Sequence, residues 1–216
     1  MSDLVIVSNR GPFSFSNTFL REGQEAIKTG KPPAPPDFGA GGLVQAMSAL
    51  LKPGRWNTTW IGASMGDRDI DVARGHYNPL FKKIKKKGYA PDRFPLIQID
   101  PHNRMHFRYE DYDFYMRFVY FDTRHMHSYY SKFANGFLWP LMHLTRSPLF
   151  YKKAKVFPRP LFEKNDFVQY TSSGVTFANT IIDEIRKSGE FGKDGDEMLV
   201  WNQDYHLMQI AEVFRA

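Results

Sequence analysis

The chain has no cysteine among its 216 residues, which excludes disulfide bridges, thiolate-ligated metal sites and a cysteine nucleophile. It also has no apolar run near the ~18 residues that a membrane-spanning helix needs. The first ten residues include Asp3 and have neither the basic start nor the long apolar stretch of a secretory signal peptide. We therefore expect a cytoplasmic protein that does not enter a membrane.

Two groups of potential metal ligands lack the partners that a metal site requires. His125 and His127 form a His-x-His pair, but no third ligand stands out nearby. Asp67, Asp69 and Asp71 resemble the start of a calcium loop, yet the glycine and the glutamate that complete such a loop are missing. We therefore expect surface or hydrogen-bonded histidines, a solvated acidic turn, no metal and no cofactor.

The composition is that of a folded protein with a basic surface. Hydrophobic residues make up 42% of the chain and aromatic residues 16%, which is enough for a packed core. The net charge is +6, which favours anionic partners such as phosphorylated small molecules or nucleic acid. Five lysines lie within 82–87, and this run is typical of a solvated helix end or loop. A nucleic-acid-binding domain is a rival hypothesis, although no nucleic-acid-binding motif is present, and we expect no nucleic-acid partner.

Apolar strand-like runs alternate with segments of helical periodicity. Strands are predicted at 4–7, 58–62, 96–99, 105–109, 118–121 and a buried 198–201. Helices are predicted at 43–51, 128–144, 167–186 and 207–214, and a long loop at 17–38. This alternation predicts an α/β fold, a Rossmann-like open parallel sheet with helices on both faces. We expect a single domain over 1–216, with an insertion at 66–117.

Polar residues follow the first and last predicted strands. Arg10 comes directly after the first strand and Asp204 shortly after the last, at the strand ends where open α/β sheets bind ligands. The glycine-rich segment 39–42 lacks the spacing of a dinucleotide fingerprint, but it opens a helix whose free N–H groups can hold a phosphate. The alternatives are an ordinary entry turn for the glycines and a surface role for Arg10.

Five motifs occur in one order along the chain. They are Leu-Val-Ile-Val-Ser-Asn-Arg at 4–10, Gly-Gly-Leu-Val at 41–44, Tyr-Tyr to Trp-Pro at 129–140 with His143, Phe-Ala at 177–178, and Asp-Tyr-His-Leu-Met at 204–208. Together they resemble the N-terminal half of the trehalose-phosphate synthase family of retaining GT-B glycosyltransferases. That family transfers a hexose from a nucleotide sugar, usually UDP-glucose, to a sugar phosphate, usually glucose 6-phosphate.

The resemblance implies specific roles for the matching residues. Arg10 and Tyr130 would bind the acceptor phosphate, and Trp139 would line the acceptor pocket. Gly41 and Gly42 would lie close to the donor diphosphate. An arginine suits the first role because its planar fork matches a phosphate in a bidentate manner.

Asp204 would be the catalytic-site carboxylate that holds sugar hydroxyls, a role that suits a group with acceptors only. The implied reaction is metal-independent and uses no protein nucleophile. The family's donor domain supplies the cations that neutralise the leaving nucleotide, and it follows the part that this chain matches. We therefore expect an acceptor-side domain that is inactive alone and needs a donor domain or partner subunit. A homo-oligomer is left open, and the alternative is a catalytically inactive sugar-phosphate-binding or regulatory subunit.

Overall fold

The computed structural model describes residues 2–31, 37–38, 42–54, 56–88, 95–101, 103–143, 162–187 and 198–214. The chain divides into two compact units. The first comprises Met1–Tyr120 and Glu184–Trp201, and the second comprises Phe121–Asp183 and Asn202–Ala216. That 1–216 forms one domain stays a prediction.

The first unit is built on a six-stranded sheet. Its strands are β1 (Ser2–Arg10), β4 (Trp56–Ala63), β5 (Leu96–Ile99), β6 (Met105–Tyr109), β7 (Tyr112–Val119) and β8 (Met198–Asn202), and a separate antiparallel pair is formed by β2 (Phe13–Ser14) and β3 (Asp37–Phe38). The sheet order is β5-β6-β7-β4-β1-β8. β4 pairs in parallel with β1 and β7, whereas β5, β6 and β7 pair antiparallel. The predicted α/β class is confirmed, and the antiparallel strands extend its parallel centre.

The strands predicted at 4–7 and 58–62 lie in β1 and β4, which pair in parallel, and the helix predicted at 43–51 lies between them in the sequence. Helix α2 (Gly42–Met47) lies between β1 and β4 and continues as a 3₁₀ turn, Ser48–Leu51. Met47 and Leu51 lie four residues apart and are both buried. Pro53 follows the end of the turn, and a proline there cannot continue a helix.

The predicted loop at 17–38 is wrong over its first part, where the structure has helix α1 (Asn17–Thr29). The Ser16 side chain caps this helix by accepting a hydrogen bond from the Phe19 N–H, a common helix start. Gly30 ends it with φ 75°, as glycine often does. The helix buries Phe19, Leu20, Gly23 and Ala26. The proline cluster 32–36 lies outside the described residues.

Residues 66–117 contribute to the main sheet. They form α3 (Asp67–Ala73), α4 (Asn78–Lys86) and the strands predicted at 96–99 and 105–109, which are β5 and β6 and pair as a hairpin, with Ile97 opposite Phe107. Strand β7 begins at Tyr112 rather than at the predicted 118. Its alternate residues Phe114, Met116 and Phe118 are buried, so the strand pattern starts earlier than the continuous apolar run that predicted it. The five lysines are exposed at the end of α4, as predicted. Whether the segment is an insertion stays a prediction.

Helices pack on both faces of the sheet in the first unit, as predicted. One face carries a core that includes Trp60 of β4 and residues of α1, the 3₁₀ turn after α2, and α4. On the other face, the Thr59 hydroxyl donates to Oε1 of Glu184 at 3.2 Å. Glu184 lies near the end of helix α7 (Lys164–Lys187).

The second unit is mainly helical. It contains α5 (Thr123–Met126), a π-helix (His127–Leu138), α6 (Trp139–Met142), most of α7, a 3₁₀ turn (Tyr205–Leu207) and α8 (Ile210–Val213). The helix predicted at 128–144 thus begins at Thr123. Pro140 lies in the first turn of α6, where a proline is tolerated, so the helical segment continues through it. Among the described residues, no helix is both long and apolar enough to cross a membrane.

Strand β8 lies at an edge of the sheet rather than in the buried position that its apolar sequence predicts. Leu199 is 47% exposed and Trp201 is 44% exposed. The apolar run misled the prediction because periodicity alone does not separate a central strand from an edge strand.

Candidate functional site

Arg10 is the last residue of β1, as the sequence predicts. Its backbone carbonyl accepts hydrogen bonds from the Ser8 hydroxyl and from Nε1 of the buried Trp60, which also donates to Ser8. The pairing register between β1 and β4 shifts between Ser8 and Arg10, and such bulges often redirect side chains at sites. These hydrogen bonds hold the main chain of Arg10 in place. The residue itself is exposed.

Asp69 is a buried carboxylate, which corrects the expectation of a solvated acidic turn. It is 1% exposed, and it accepts hydrogen bonds at 2.8 Å from the N–H groups of Phe15 and Met65. Burial raises the pKa of Asp69 above its usual value, although backbone hydrogen bonds from Phe15, Met65 and Gly66 oppose this. Asp69 therefore connects the segment that follows β1 with the segment that follows β4. Both segments follow the carboxyl ends of parallel strands, where open α/β sheets bind ligands.

Of the two glycines assigned to the donor, only Gly42 is among the described residues. It is the first residue of α2, and a Cβ added there would meet nothing within 4 Å. Open space around this residue allows close approach of a ligand to the main chain. Gly41 lies outside the described residues, so its role stays a prediction.

Residues 62–66 read Gly-Ala-Ser-Met-Gly, a match to the hydrolase nucleophile elbow that sequence reasoning overlooked. They run from the last two residues of β4 to the residue before α3, as an elbow would. Ser64, however, is 5% exposed and is not among the residues with positive φ. An elbow serine is exposed on a strained turn, so the geometry argues against a nucleophile here.

In the second unit, Asp204 lies just after β8 in an unusual backbone conformation. Its φ is 85° and its ψ is 151°, a region that is almost restricted to glycine. One carboxylate oxygen accepts from the Tyr205 N–H at 2.7 Å and the other lies 2.9 Å from Nδ1 of His206. Burial raises the pKa of Asp204, but the hydrogen bond and charge of His206 and the Tyr205 N–H outweigh it, so the pKa lies below its ordinary value.

His206 connects Asp204 to the aromatic segment that the sequence singled out. The imidazole is 6% exposed and is stacked on the rings of Tyr130 and Tyr205, with centroid distances of 5.1 and 4.0 Å. Its Nε2 lies 3.2 Å from Oδ1 of Asn135, which also accepts from the Tyr205 hydroxyl at 2.6 Å. The structure therefore joins Tyr130 and Asp204 through a histidine.

The π-helix explains why Tyr130 and Asn135 reach the same imidazole. Hydrogen bonds in a π-helix join residues five apart rather than four, so positions i and i+5 lie on nearly the same face. Tyr130 and Asn135 have this spacing. In an α-helix they would be about 140° apart around the axis, at roughly 100° per residue. The sequence placed Asn135 within the Tyr-Tyr to Trp-Pro motif but gave it no role.

Tyr170 of α7 supports the turn that follows Asp204. It is 2% exposed, and its hydroxyl donates to the Tyr205 carbonyl at 2.8 Å. Burial raises the pKa of Tyr170 to about 12, so it remains a donor at neutral pH. Gly174, one helical turn further along, lets the chain near Gln209 approach closely, because a Cβ there would lie 2.8 Å from Cβ of Gln209.

Trp139 is accessible, as an acceptor-pocket residue should be. It is 43% exposed and stacks on His143 with a centroid distance of 4.3 Å. His143 Nδ1 lies 2.8 Å from the Trp139 carbonyl, which fixes the two rings relative to each other. The proposed contact of Trp139 with the acceptor stays a prediction.

One histidine of the His-x-His pair, His125, forms a hydrogen bond with a serine. His125 Nε2 lies 2.7 Å from the Ser173 hydroxyl, which itself donates to the Gln169 carbonyl, so Nε2 must carry the proton. Burial lowers the pKa of His125 below its ordinary value, which favours the neutral ring. In the described part of the chain, no group of three or more potential ligands could hold a metal.

The first unit has the α/β sheet that the motifs predict, with Arg10 at the end of β1, and Asp204 follows β8 in the second unit. A family comparison makes this specific: residues 2–216 match the model of glycosyltransferase family 20. The chain belongs to glycosyltransferase family 20.

The relatives that the chain resembles are named as trehalose-phosphate synthases. The chain is 33% identical over 98 residues to alpha,alpha-trehalose-phosphate synthase [UDP-forming] 2 of Aspergillus fumigatus, covering 45% of this chain and 16% of that protein. It is 26% identical over 213 residues to the UDP-forming enzyme of Pichia angusta, covering 99% and 32%. A crystal structure of such a synthase from Burkholderia xenovorans in complex with glucose-6-phosphate is 20% identical with a TM-score of 0.46, over 99% of this chain and 31% of that one. The chain thus spans a third or less of these relatives.

Proposed function

We propose that this chain is the acceptor-side part of a retaining hexosyltransferase that acts as a trehalose-phosphate synthase. It would transfer glucose from UDP-glucose to glucose 6-phosphate in trehalose biosynthesis. The observation that carries the proposal is the ionised carboxylate of Asp204, held on a strained turn beside the Tyr130 motif in a family 20 chain. The names of the relatives, which are UDP-forming synthases, support the choice of donor.

The residues divide the substrates between them. Arg10 and Tyr130 bind the phosphate of the acceptor, where a guanidinium offers two parallel donors, and Trp139 covers an apolar face of the sugar. Asp204 accepts hydrogen bonds from sugar hydroxyls, because an ionised carboxylate has only acceptors. Gly41 and Gly42 let the donor diphosphate approach the main chain.

Transfer requires charge that these residues do not supply. The leaving nucleotide develops negative charge on its phosphates, and fixed cations aimed at that charge are usually the largest contribution to such catalysis. In the proposal these cations come from a donor domain or a partner subunit. The 216-residue chain should therefore bind a sugar phosphate but show no transfer alone.

Calorimetry with glucose 6-phosphate tests the acceptor assignment. Arg10→Ala should weaken binding by about 1.5–3 kcal/mol, the range for a hydrogen bond to a charged group. The control replaces the five lysines of 82–87 with glutamine, which should leave affinity nearly unchanged because exposed charges act over about 8 Å at physiological salt. Equal affinity of Arg10→Ala and the unaltered chain would remove Arg10 from the site.

Radiolabelled transfer assays test the reaction. The 216-residue chain should give no product from UDP-glucose and glucose 6-phosphate, whereas the chain joined to or mixed with a family 20 donor domain should. Turnover by the purified chain alone would contradict the division of labour proposed here. Sugar-phosphate binding with no transfer in any such combination would instead identify a binding or regulatory subunit.

A further inference from the structure

We propose that His206 and Asn135 are positioning residues of the acceptor site, with Asn135 fixing the His206 ring and His206 orienting the Asp204 carboxylate toward sugar hydroxyls. This inference rests on the proposed function and assigns roles to two residues that do not themselves touch the substrate. Both lie in the second unit together with Asp204.

The hydrogen bonds of His206 determine which of its ring nitrogens carry a proton. An ionised carboxylate can only accept, so the 2.9 Å contact between Asp204 Oδ2 and His206 Nδ1 requires a proton on Nδ1. The other oxygen of Asp204 is directed to the Tyr205 N–H. Each oxygen thus has one fixed donor, and its remaining lone pair is available to a ligand.

The imidazole is held on every side that could allow it to turn. Tyr130 and Tyr205 stack on it with interplanar angles of 21° and 29°. Nε2 donates to Oδ1 of Asn135, which also accepts from the Tyr205 hydroxyl; an amide oxygen can only accept, so Nε2 carries a proton as Nδ1 does. A buried network with satisfied partners is rigid, so the direction of the Nδ1–H bond is fixed before any ligand arrives.

Two features of the backbone indicate that this arrangement serves a site. Asp204 adopts φ 85° without being glycine, and such conformations persist where the surrounding structure enforces them, often at active sites. The π-helix that places Asn135 is itself rare and frequent at functional sites. A network needed only for packing would require neither feature.

The central experiment compares two substitutions of similar size. The amide nitrogen of asparagine can replace Nδ1 of histidine, whereas the longer glutamine places its amide nearer to Nε2. In the 216-residue chain, His206→Gln should weaken glucose 6-phosphate binding about tenfold or more, as expected for the loss of a charge-assisted hydrogen bond. His206→Asn should restore most of that affinity.

Inorganic phosphate separates positioning from general damage to the site. It has no sugar hydroxyl, so the two His206 variants, which both lose the stacking on Tyr130, should bind it with equal affinity. Equal losses for phosphate and for glucose 6-phosphate would mean a structural role and would overturn the proposal. Equal affinity of His206→Gln and the unaltered chain for glucose 6-phosphate would overturn it too, while leaving the proposed function intact.

Two substitutions of Asn135 give a second comparison, which tests the proposal even if His206→Gln does not fold. Asn135→Asp keeps an acceptor for Nε2 and for the Tyr205 hydroxyl, whereas Asn135→Leu, which has the same branching at Cγ, removes it. Only the leucine variant should weaken glucose 6-phosphate binding, by about threefold to tenfold for a neutral hydrogen bond. Equal affinity of the two variants would remove Asn135 from the proposal.

Nitrogen NMR of the free chain gives a readout without ligand. Nδ1 of His206 should show the resonance of a protonated nitrogen at neutral pH, and an unprotonated Nδ1 would overturn the proposal. If the unaltered chain shows the protonated Nδ1 but binds no glucose 6-phosphate, the proposed function fails and the acceptor role of these residues fails with it.

Discussion

The main chain of Gly62 in β4 packs directly against that of Gly11, which follows β1. A Cβ added to Gly62 would lie 2.7 Å from the Gly11 nitrogen and 2.9 Å from its Cα, distances at which one backbone must shift. This contact sits beside Arg10, so it sets how closely the two strand ends approach at the candidate site.

Gly62→Ala should therefore destabilise the chain by about 1–3 kcal/mol, the usual range for overpacking, and should reduce sugar-phosphate affinity. Gly66→Ala is the control, because a Cβ there meets nothing within 4 Å and its φ of −170° suits alanine. The control should change stability by less than about 1 kcal/mol, because the lower entropy of alanine in the unfolded chain offsets its lower preference at the N-cap of α3. Urea unfolding measures both, and equal stability of the two variants would contradict the close contact.

The strain at Asp204 predicts an unusual order of stability. Asp204→Gly and Asp204→Ala both lose the carboxylate and its hydrogen bonds, but only alanine retains the penalty of a side chain at φ 85°. The glycine variant should be more stable than the alanine variant by about 1–3 kcal/mol, the reverse of the order found where both residues fit. Thermal unfolding of the pair measures this difference, and alanine proving the more stable would show that the turn is unstrained.

Asp69 predicts a pH dependence of stability. Its pKa is raised in the folded chain, so the folded state holds its proton more tightly than the unfolded state does. Its contribution to the free energy of unfolding is fully present below the ordinary pKa of about 3.9 and is lost as pH rises through the raised value. The stability advantage of the unaltered chain over Asp69→Asn should shrink between about pH 4 and neutrality. Chemical denaturation across this range tests it, and a growing advantage would show that the hydrogen bonds outweigh burial.

Glu184 predicts a large loss of stability from a single substitution. It is 3% exposed and pairs with Arg104 and Arg117, each at 3.2 Å. Glu184→Gln leaves two arginines facing a neutral amide and should destabilise the chain by about 3–5 kcal/mol, as breaking a buried ion pair does. Glu25→Gln is the control because its pair with Lys28 is exposed, and such pairs contribute about 0–1 kcal/mol. Similar midpoints of urea unfolding for the two variants would mean that Glu184 is not effectively buried.

Sequence reasoning predicts the parts of the fold that local patterns determine. The β1–α2–β4 unit, the β5–β6 hairpin and α7 follow from apolar periodicity and turn residues. Helix α1 was predicted as a loop because the nearby prolines favour an extended segment, although Ser16 and Gly30 are typical residues for the start and the end of a helix. The edge position of β8 depends on which strands pair, and that is not a local property.

The candidate site was predicted only in part for a similar reason. Arg10 and Asp204 stand at strand ends in the sequence itself, so their positions could be read directly. His206 and Asn135 were not singled out, because their importance arises from contacts between segments 70 residues apart. The buried state of Asp69 also depends on distant partners, since Phe15 is 54 residues away along the chain.

The π-helix makes the site sensitive to the number of residues between Tyr130 and Asn135 rather than to their identity alone. Inserting one residue between them would put Asn135 six positions after Tyr130, about 120° away around an α-helix and off the face that positions five apart share in a π-helix. Asn135 would then lie away from His206, while both flanking motifs kept every letter. A variant of that length could be matched to the family by its motifs and still lack the fixed imidazole. Alignment gaps within 130–135 are therefore more informative about this site than substitutions at most other positions of the segment.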